Sequence, residues 1–250
     1  MIDREGVTHG IKRKYGVTLR PSWLEQCAKH IEKEIPGTHH LEAQIRLVFE
    51  QLLHSEISLS CHPTLETNPS TATVTRIPAA PGVFLQIQEI MDIGVSKFSM
   101  WEALREKEDF EQRGIRPSYL APVDDDDDEN DNTAGVFTMQ TQTQTQTQTN
   151  TQNLDDPVDR EPKIPHAMLK LVLTDGKTRL PAIEMAPVPQ LSVELPIGTK
   201  VLVTRGHVLQ PTGTLCLLPD CIQVLGGSPM QYQELTLRSR IERILDIKSN

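Results

Sequence analysis

Two cysteine–histidine pairs are the residues of this chain whose types and spacing come nearest to a metal site. Cys27 lies three residues before His30, and Cys61 directly precedes His62. Structural zinc sites need two ligand pairs at defined spacings, and these pairs do not have them. Cys27 instead falls on the apolar stripe of a predicted helix, where a small buried thiol packs well. We therefore predict that the chain binds no metal.

A run of five aspartates at 124–128 is the other candidate for a cation site. Divalent cations need oxygen ligands that the protein holds in place, whereas an acidic run without apolar neighbours stays solvated and disordered. An alternating Gln-Thr tract at 140–148 follows it. Such a tract can aggregate as β-structure, but we interpret it as a flexible spacer.

Known catalytic patterns are absent from the sequence. It contains no GxSxG elbow, no phosphate-binding glycine loop, no HExxH motif and no Cys-His pair in a recognisable frame. The four cysteines lie at unrelated spacings, which indicates reduced thiols in an intracellular protein. We predict a protein that is not an enzyme and that needs no cofactor.

The acidic excess of the chain is confined to one segment. Of 34 acidic and 25 basic residues, 15 and 6 lie within 105–165, so 19 of each remain elsewhere. This balance lacks the basic stripe of a dedicated DNA-binding protein. One short basic cluster, Lys12-Arg13-Lys14, is a candidate for weak nucleic-acid contact or for nuclear import, and a solvated surface segment is the alternative.

The composition indicates a modest core and no membrane segment. Hydrophobic residues make up 37% of the chain and aromatic residues 4%. No apolar run approaches the roughly 18–20 residues that a membrane span needs, and the first residues lack the apolar region of a secretory signal.

Helical patterns occupy residues 1–65, which we predict to be an N-terminal helical domain. Ser22 and Glu25 form a capping-box pattern at the start of one helix, and a second helix is expected over 41–54. The two apolar stripes comprise Leu24, Cys27, Ala28 and Ile31, and Leu41, Ile45, Val48 and Leu52. The Thr-, Ser- and Pro-rich residues 66–81 predict a linker.

From Gly82 the apolar pattern changes to the period of two that is typical of strands. Val83, Leu85 and Ile87 share one face, which predicts a half-buried strand. Ile90 falls out of phase with them, as a β-bulge would produce.

The rest of the chain completes a small barrel. Asp175-Gly176 is expected to turn a hairpin, and about five short strands suit an OB-fold over 82–250. A short helix is expected near 100–111. The disordered insertion, 105–165, falls between the first two strands, and a final helix capped by Ser228-Pro229 follows the last strand. The predicted class is α+β, with a three-helix-type bundle packed on the barrel.

Several short segments, read in order, carry a resemblance to a known family. They are Trp23-Leu24-Glu25 with Cys27, Val48-Phe49-Glu50-Gln51, Phe84-Leu85-Gln86-Ile87 with Asp92-Ile93, Leu173-Thr174-Asp175-Gly176, Pro187-Val188-Pro189, Leu195-Pro196 with Gly198-Thr199-Lys200-Val201, and Val224-Leu225-Gly226-Gly227. Their order and spacing resemble the RecQ-mediated genome instability proteins, and within them subunit 1. The resemblance covers most of the chain outside the insertion.

That resemblance implies a scaffold of the nucleus. In the family, the OB-fold binds topoisomerase III together with a RecQ (Bloom-type) helicase, and the complex dissolves double Holliday junctions. The long loop after the first strand enters the topoisomerase gate and tunes its opening. Here the implied partners are these two enzymes, with DNA contacted weakly or indirectly.

The resemblance also suggests which residues bind the partner. On the barrel they are Asp175, Thr199 and Lys200. Lys200 starts a strand, where a lysine head normally stays in solvent, so we expect it to affect partner binding and not folding. In the insertion, the proposed apolar anchors are Phe110, Tyr119, Leu120 and Phe137.

An autonomous single-stranded nucleic-acid-binding OB protein is the alternative function. Such barrels stack bases on exposed aromatic side chains, and Phe84 is the main candidate for that role. The scarcity of other aromatics on the predicted strands argues against it. Tight, salt-dependent binding of oligonucleotides by the chain alone would favour this alternative.

Overall fold

The computed structural model describes residues 2–35, 37, 40–67, 74–77, 81–113, 163–209 and 212–247. The chain divides into two compact units, one made of Met1–Leu104 with Ile164–Asn250 and the other of Arg105–Lys163. The helical part and the barrel therefore both belong to the first unit.

Four helices build the N-terminal part of the first unit. They are α1 (Arg4–Tyr15), α2 (Pro21–Glu34), α3 (Leu41–Leu53) and α4 (Ile57–Ser60). The Asp3 carboxylate caps α1 by accepting a bond from the Gly6 amide, and Gly16 ends it at a φ of 69°, where glycine is favoured. The apolar stripes of the helices meet in one core around Ile11, Val48 and Leu52.

The start of α2 differs from the prediction. The helix begins at Pro21, with Arg20 at the N-cap position and no side-chain capping bond. The predicted Ser22–Glu25 capping box is therefore wrong. Proline already has the backbone angle of a first helical turn and lacks the amide that a cap would satisfy, so Ser22 lies inside the helix.

The described residues include nine strands. They are β1 (Glu66–Thr67), β2 (Val74–Arg76), β3 (Val83–Asp92), β4 (Leu169–Thr174), β5 (Arg179–Glu184), β6 (Lys200–Val203), β7 (His207–Leu209), β8 (Thr214–Leu217) and β9 (Ile222–Gly226). β1 and β2 pair with each other inside the segment interpreted as a linker. The other seven form one sheet in the order β7-β8-β5-β4-β3-β6-β9, antiparallel except for β5 with β8.

This architecture confirms the predicted α+β class, with a helical N-terminus before a mostly antiparallel sheet. The sheet has seven strands instead of about five. The additional pieces, such as the three-residue β7, are too short to leave a clear alternating pattern in the sequence. Leu85, Ile87, Leu171, Leu180 and Leu215 are completely buried members of the barrel core.

β3 is buried on both faces over its first half. Val83 to Ile87 are all buried, so the prediction of a half-buried strand is wrong there. The inward face joins the barrel core, and the other face is covered by the helical part, where the Phe84 ring meets the edge of Phe49 at a centroid distance of 6.4 Å. The pairing with β4 shifts register between Ile87 and Glu89, which confirms the predicted bulge.

The insertion leaves the barrel after β3 and returns before β4, and these two strands pair antiparallel. Helix α5 (Lys97–Arg113) follows β3 and confirms the short helix expected there. The predictions for the aspartate run and the Gln-Thr tract concern residues outside the described ranges.

The chain after β9 differs from the prediction at its cap. Ser228 and Pro229 precede a short 3₁₀ helix, Met230–Tyr232. Helix α6 (Leu237–Leu245) has Thr236 as its N-cap residue, and the Thr236 hydroxyl accepts from the Ser239 amide. The Ser228-Pro229 cap is therefore wrong for this helix. In the part of the chain that is described, no helix has both the length and the apolar character needed to cross a membrane.

Candidate partner-binding surface

Lys200, a predicted partner contact, lies at the junction between α3 and the barrel and is fully buried. Its Nζ donates to the carbonyl oxygens of Leu53, at 3.0 Å, and Gly198, at 2.8 Å. Burial lowers the pKa of this ammonium to about 8, although the nearby charge of Glu56 opposes the shift. The expectation of a solvent-exposed head is wrong, because the C-terminal end of α3 covers the start of β6.

A second buried polar residue at this junction, Gln86, was not singled out from the sequence. Its side-chain oxygen accepts from the Ile57 amide at 3.1 Å, and its Nε2 donates to the Glu56 carboxylate at 3.1 Å. A glutamine within an apolar strand is the signal that could have identified it, since buried polar groups need partners. Lys200 and Gln86 together tie the helical part to the barrel.

Asp175 and Thr199, the other predicted partner contacts on the barrel, are also buried. The Asp175 carboxylate accepts from the amides of Thr64, Leu65, Lys177 and Thr178, at 2.7–3.0 Å. The Thr199 hydroxyl donates to the Pro196 carbonyl at 2.6 Å. In this fold, the side chains of Asp175, Thr199 and Lys200 are thus engaged in internal bonds.

The remaining predicted contacts fall in separate places. Lys12-Arg13-Lys14 are exposed in the last turn of α1, where basic side chains complement the helix dipole. Phe110 is half-buried within α5, whereas Tyr119, Leu120 and Phe137 lie outside the described residues. Phe84, the candidate for base stacking, is only 3% exposed, so the prediction that it could stack on a nucleic acid is wrong.

The two cysteines considered for zinc are buried in the core of the helical part. Burial raises the pKa of the Cys27 and Cys61 thiols to about 11, which keeps them protonated at neutral pH. Among the described residues, no group of His, Cys, Asp or Glu is arranged to hold a metal ion.

An exposed apolar row crosses four strands at one end of the barrel. The row consists of Ile93, Met168, Met185 and Leu218, which are 39–57% exposed. Each residue lies just outside a strand, directly after its last residue or directly before its first. The pairing of neighbouring strands places the four side by side, as shown by the registers Asp92↔Leu169, Lys170↔Ile183 and Glu184↔Leu217. The neighbouring row, Asp92, Leu169, Glu184 and Leu217, is buried. Because side chains alternate along a strand, the apolar row faces outward.

This apolar row is the best candidate for a protein-binding surface. Single exposed apolar side chains are ordinary, but contiguous ones mark interaction sites, and methionine adapts to the shape of a partner. The row lies where the insertion leaves and re-enters the barrel. The sequence did not reveal it, because four isolated residues become neighbours only through the strand registers.

A buried carboxylate holds both ends of the insertion beside this row. Asp92 accepts from the Gly94 and Val95 amides on the outgoing side, at 2.8 and 3.0 Å, and from the Ala167 amide on the returning side, at 2.7 Å. Burial raises the pKa of Asp92, but these bonds, with a longer one from Met168, outweigh that effect and lower it.

The His166 ring lies against both carboxylates at the same place. Its Nδ1 lies 3.3 Å from an Asp92 oxygen, and its Nε2 lies 3.2 Å from an oxygen of Glu184, whose carboxylate is buried. Glu184 is itself held by the amides of Leu169 and Val188. The base of the insertion is therefore fixed to β3 and β5 by two carboxylates.

Comparison with known proteins gives matches over nearly the whole chain. The family model described as the RMI1 N-terminal helical domain matches residues 11–60, and that of the RMI1 N-terminal OB-fold domain matches residues 62–240. The RecQ-mediated genome instability protein 1 of Mus musculus is 30% identical over 84% of this chain and 28% of the mouse protein. The proteins of that name from Xenopus laevis and Arabidopsis thaliana are 25% and 23% identical, over 100% and 96% of this chain. The chain spans 39% and 28% of their lengths.

Proposed function

This chain belongs to the RecQ-mediated genome instability protein 1 family, and we propose that it is a non-catalytic scaffold and regulatory subunit that joins a topoisomerase III to a RecQ helicase. In the nucleus, this complex would dissolve double Holliday junctions and maintain genome stability. The chemistry would belong to the two partners, and this chain would position them and modulate strand passage.

The observation that carries the proposal is the apolar row beside the base of the insertion. An outward row of Ile93, Met168, Met185 and Leu218 suits a protein partner, since burying apolar area drives most protein association. It suits nucleic acid poorly, because none of these side chains is aromatic or cationic. The burial of Phe84 removes the main residue that favoured single-strand binding.

A charge placed in the apolar row tests this assignment. We expect the double variant Met168→Asp/Met185→Asp to lose at least about ten-fold in affinity for topoisomerase III in a pull-down with purified proteins, because buried unpaired carboxylates oppose association. Both residues are exposed, so the free energy of unfolding should change by only about 0.5 kcal/mol.

Leu209→Asp is the control for an added surface carboxylate, since Leu209 is 42% exposed on β7 and lies outside the row. It should bind topoisomerase III like the unmodified chain. Equal binding by the row variant would move the partner surface elsewhere on the molecule.

A further inference from the structure

A groove of about 420 Å³ runs between α6 and the β3–β4 pair. Its apolar lining includes Ile90, Leu171, Ile197 and Ile241, with Met91 and Ile244 nearer the surface. Pockets of about 300–1,000 Å³ with mainly apolar walls are typical of ligand sites. None of the groove's lining residues belongs to the apolar row, but the two adjoin: Met91 and Lys170 lie two residues from Ile93 and Met168 on the same outward face of β3 and β4.

The charges around this groove are almost all basic. Lys97, Lys170, Arg240 and Arg243 line it, and among the described residues Glu89 is the one acidic residue of the lining. Glu89 is already paired with Arg179 at 2.5 Å. Lys97 donates to the main-chain oxygen of Asp92 and lies near its carboxylate. The positive charge that the groove offers a ligand therefore comes from Lys170, Arg240 and Arg243.

Arg240 is the strongest sign that the groove takes an anionic group. Its guanidinium donates to the main-chain oxygens of Ile90, at 2.8 Å, and Val193, at 2.7 Å, and no carboxylate among the described residues pairs with it. Burial lowers the pKa of this arginine, which reflects a charge held away from water without a counter-charge. A ligand carboxylate would supply this counter-charge with little further loss of side-chain entropy, because the guanidinium is already held in place.

We propose that this groove binds a short amphipathic peptide segment of a partner protein, with apolar side chains in the groove and carboxylates against its basic side. Charge complementarity selects an acidic peptide over a neutral or basic one. None of the described residues that line the groove has an aromatic side chain on which a base would stack, and this favours a peptide over single-stranded nucleic acid.

Peptide selection on the full chain tests the proposal without knowledge of the natural partner. A random peptide library displayed on phage would be selected against the immobilised protein, and the enriched peptides would be synthesised with a fluorescent label. We expect them to combine apolar residues with glutamate or aspartate. Their affinity, measured by fluorescence anisotropy, should fall as salt is raised, since charge pairs at the surface are screened.

Charge reversal locates the binding site. Lys170→Glu and Arg243→Glu change exposed side chains of the groove, and each should weaken the selected peptides by roughly ten-fold. Lys177→Glu, an exposed lysine at the β4–β5 turn outside the groove, makes the same charge change and should leave affinity unaltered.

Three outcomes would overturn the proposal. The first is a selection that yields no binding peptide, or only basic or uncharged ones. The second is an equal loss of affinity in the Lys177→Glu control, and the third is stronger binding of a labelled oligonucleotide than of the peptides. The peptide measurements involve no topoisomerase, so failure of the topoisomerase assignment would not affect this result.

Discussion

At the residue scale, Lys200 stabilises the contact between α3 and the barrel. We expect Lys200→Met to lower the free energy of unfolding by about 1–3 kcal/mol, because the carbonyl oxygens of Leu53 and Gly198 lose their buried donor. Denaturant titration of both proteins measures this difference. Lys177→Met, at an exposed position, should change it by only about 0.5 kcal/mol. An unaltered unfolding midpoint for Lys200→Met would show that the junction does not depend on this side chain.

The same residue should make stability depend on pH. Burial holds the pKa of Lys200 at about 8 in the folded chain, below the ordinary 10.5. Above pH 8 the unfolded chain therefore binds more protons than the folded one at this site, and stability rises with pH. Between about pH 7 and 9, the unmodified chain should gain about 1 kcal/mol relative to Lys200→Met. Other titrating groups cancel in this difference, and a constant difference across the range would contradict the prediction.

At the element scale, Asp92 joins β3 and β4 at the point where the insertion starts and ends. Asp92→Asn should loosen both ends, because an amide nitrogen replaces one of the oxygens that accept from Ala167 and Gly94. The expected result is faster hydrogen exchange at Gly94, Val95 and Ala167, with the amides of β6 unaffected. Unchanged exchange at these three amides would show that strand pairing alone holds the insertion in place.

The pH dependence of this element has the opposite sign from that of Lys200. Since the pKa of Asp92 is lowered in the folded chain, its contribution to stability is complete above the pKa of an unfolded aspartate, and is lost as pH falls through the folded value. At neutral pH, Asp92→Asn should therefore exchange these amides faster than the unmodified chain. At a pH below the folded pKa of Asp92, the two proteins should exchange them at similar rates.

At the scale of the whole molecule, the helical part and the barrel belong to one compact unit, and the segment 105–163 is a separate one. Bonds of Lys200, Gln86 and Asp175 join the helical part to the barrel. Replacing 105–163 by a short Gly-Ser linker should leave stability intact or slightly higher, because each halving of a loop lowers its closure cost by about 0.6 kcal/mol. We expect the shortened protein to bind topoisomerase III through the apolar row, but to fail to stimulate decatenation of linked DNA circles.

The proposed regulatory role depends on that last measurement. A loop in a moving gate changes the balance of open and closed states only through different contacts with each state. Full stimulation by the shortened protein would contradict a role of the insertion in the gate. Loss of the complex itself would instead make the insertion the main binding element and the apolar row a secondary one.

Sequence patterns were most informative where the spacing of apolar residues within one helix or strand decides the structure. The period of two after Gly82 predicted β3, the phase change at Ile90 predicted its bulge, and the apolar spacing at 41–54 predicted α3. They were misleading where a distant element covers a residue. Lys200 and Phe84 look like surface positions in their own strands, and only the packing of the helical part against the barrel buries them.

By itself, the sequence determined the α+β class, with helices before strands, and the family, because periodicity and ordered motifs are properties of the linear chain. Only the tertiary structure decided which surface is available to a partner. The apolar row is made by strand registers that join residues up to 125 positions apart (Ile93 to Leu218), and the basic groove exists only because α6 lies against β3 and β4. Exposure depends on what packs against each residue, and no local pattern records that.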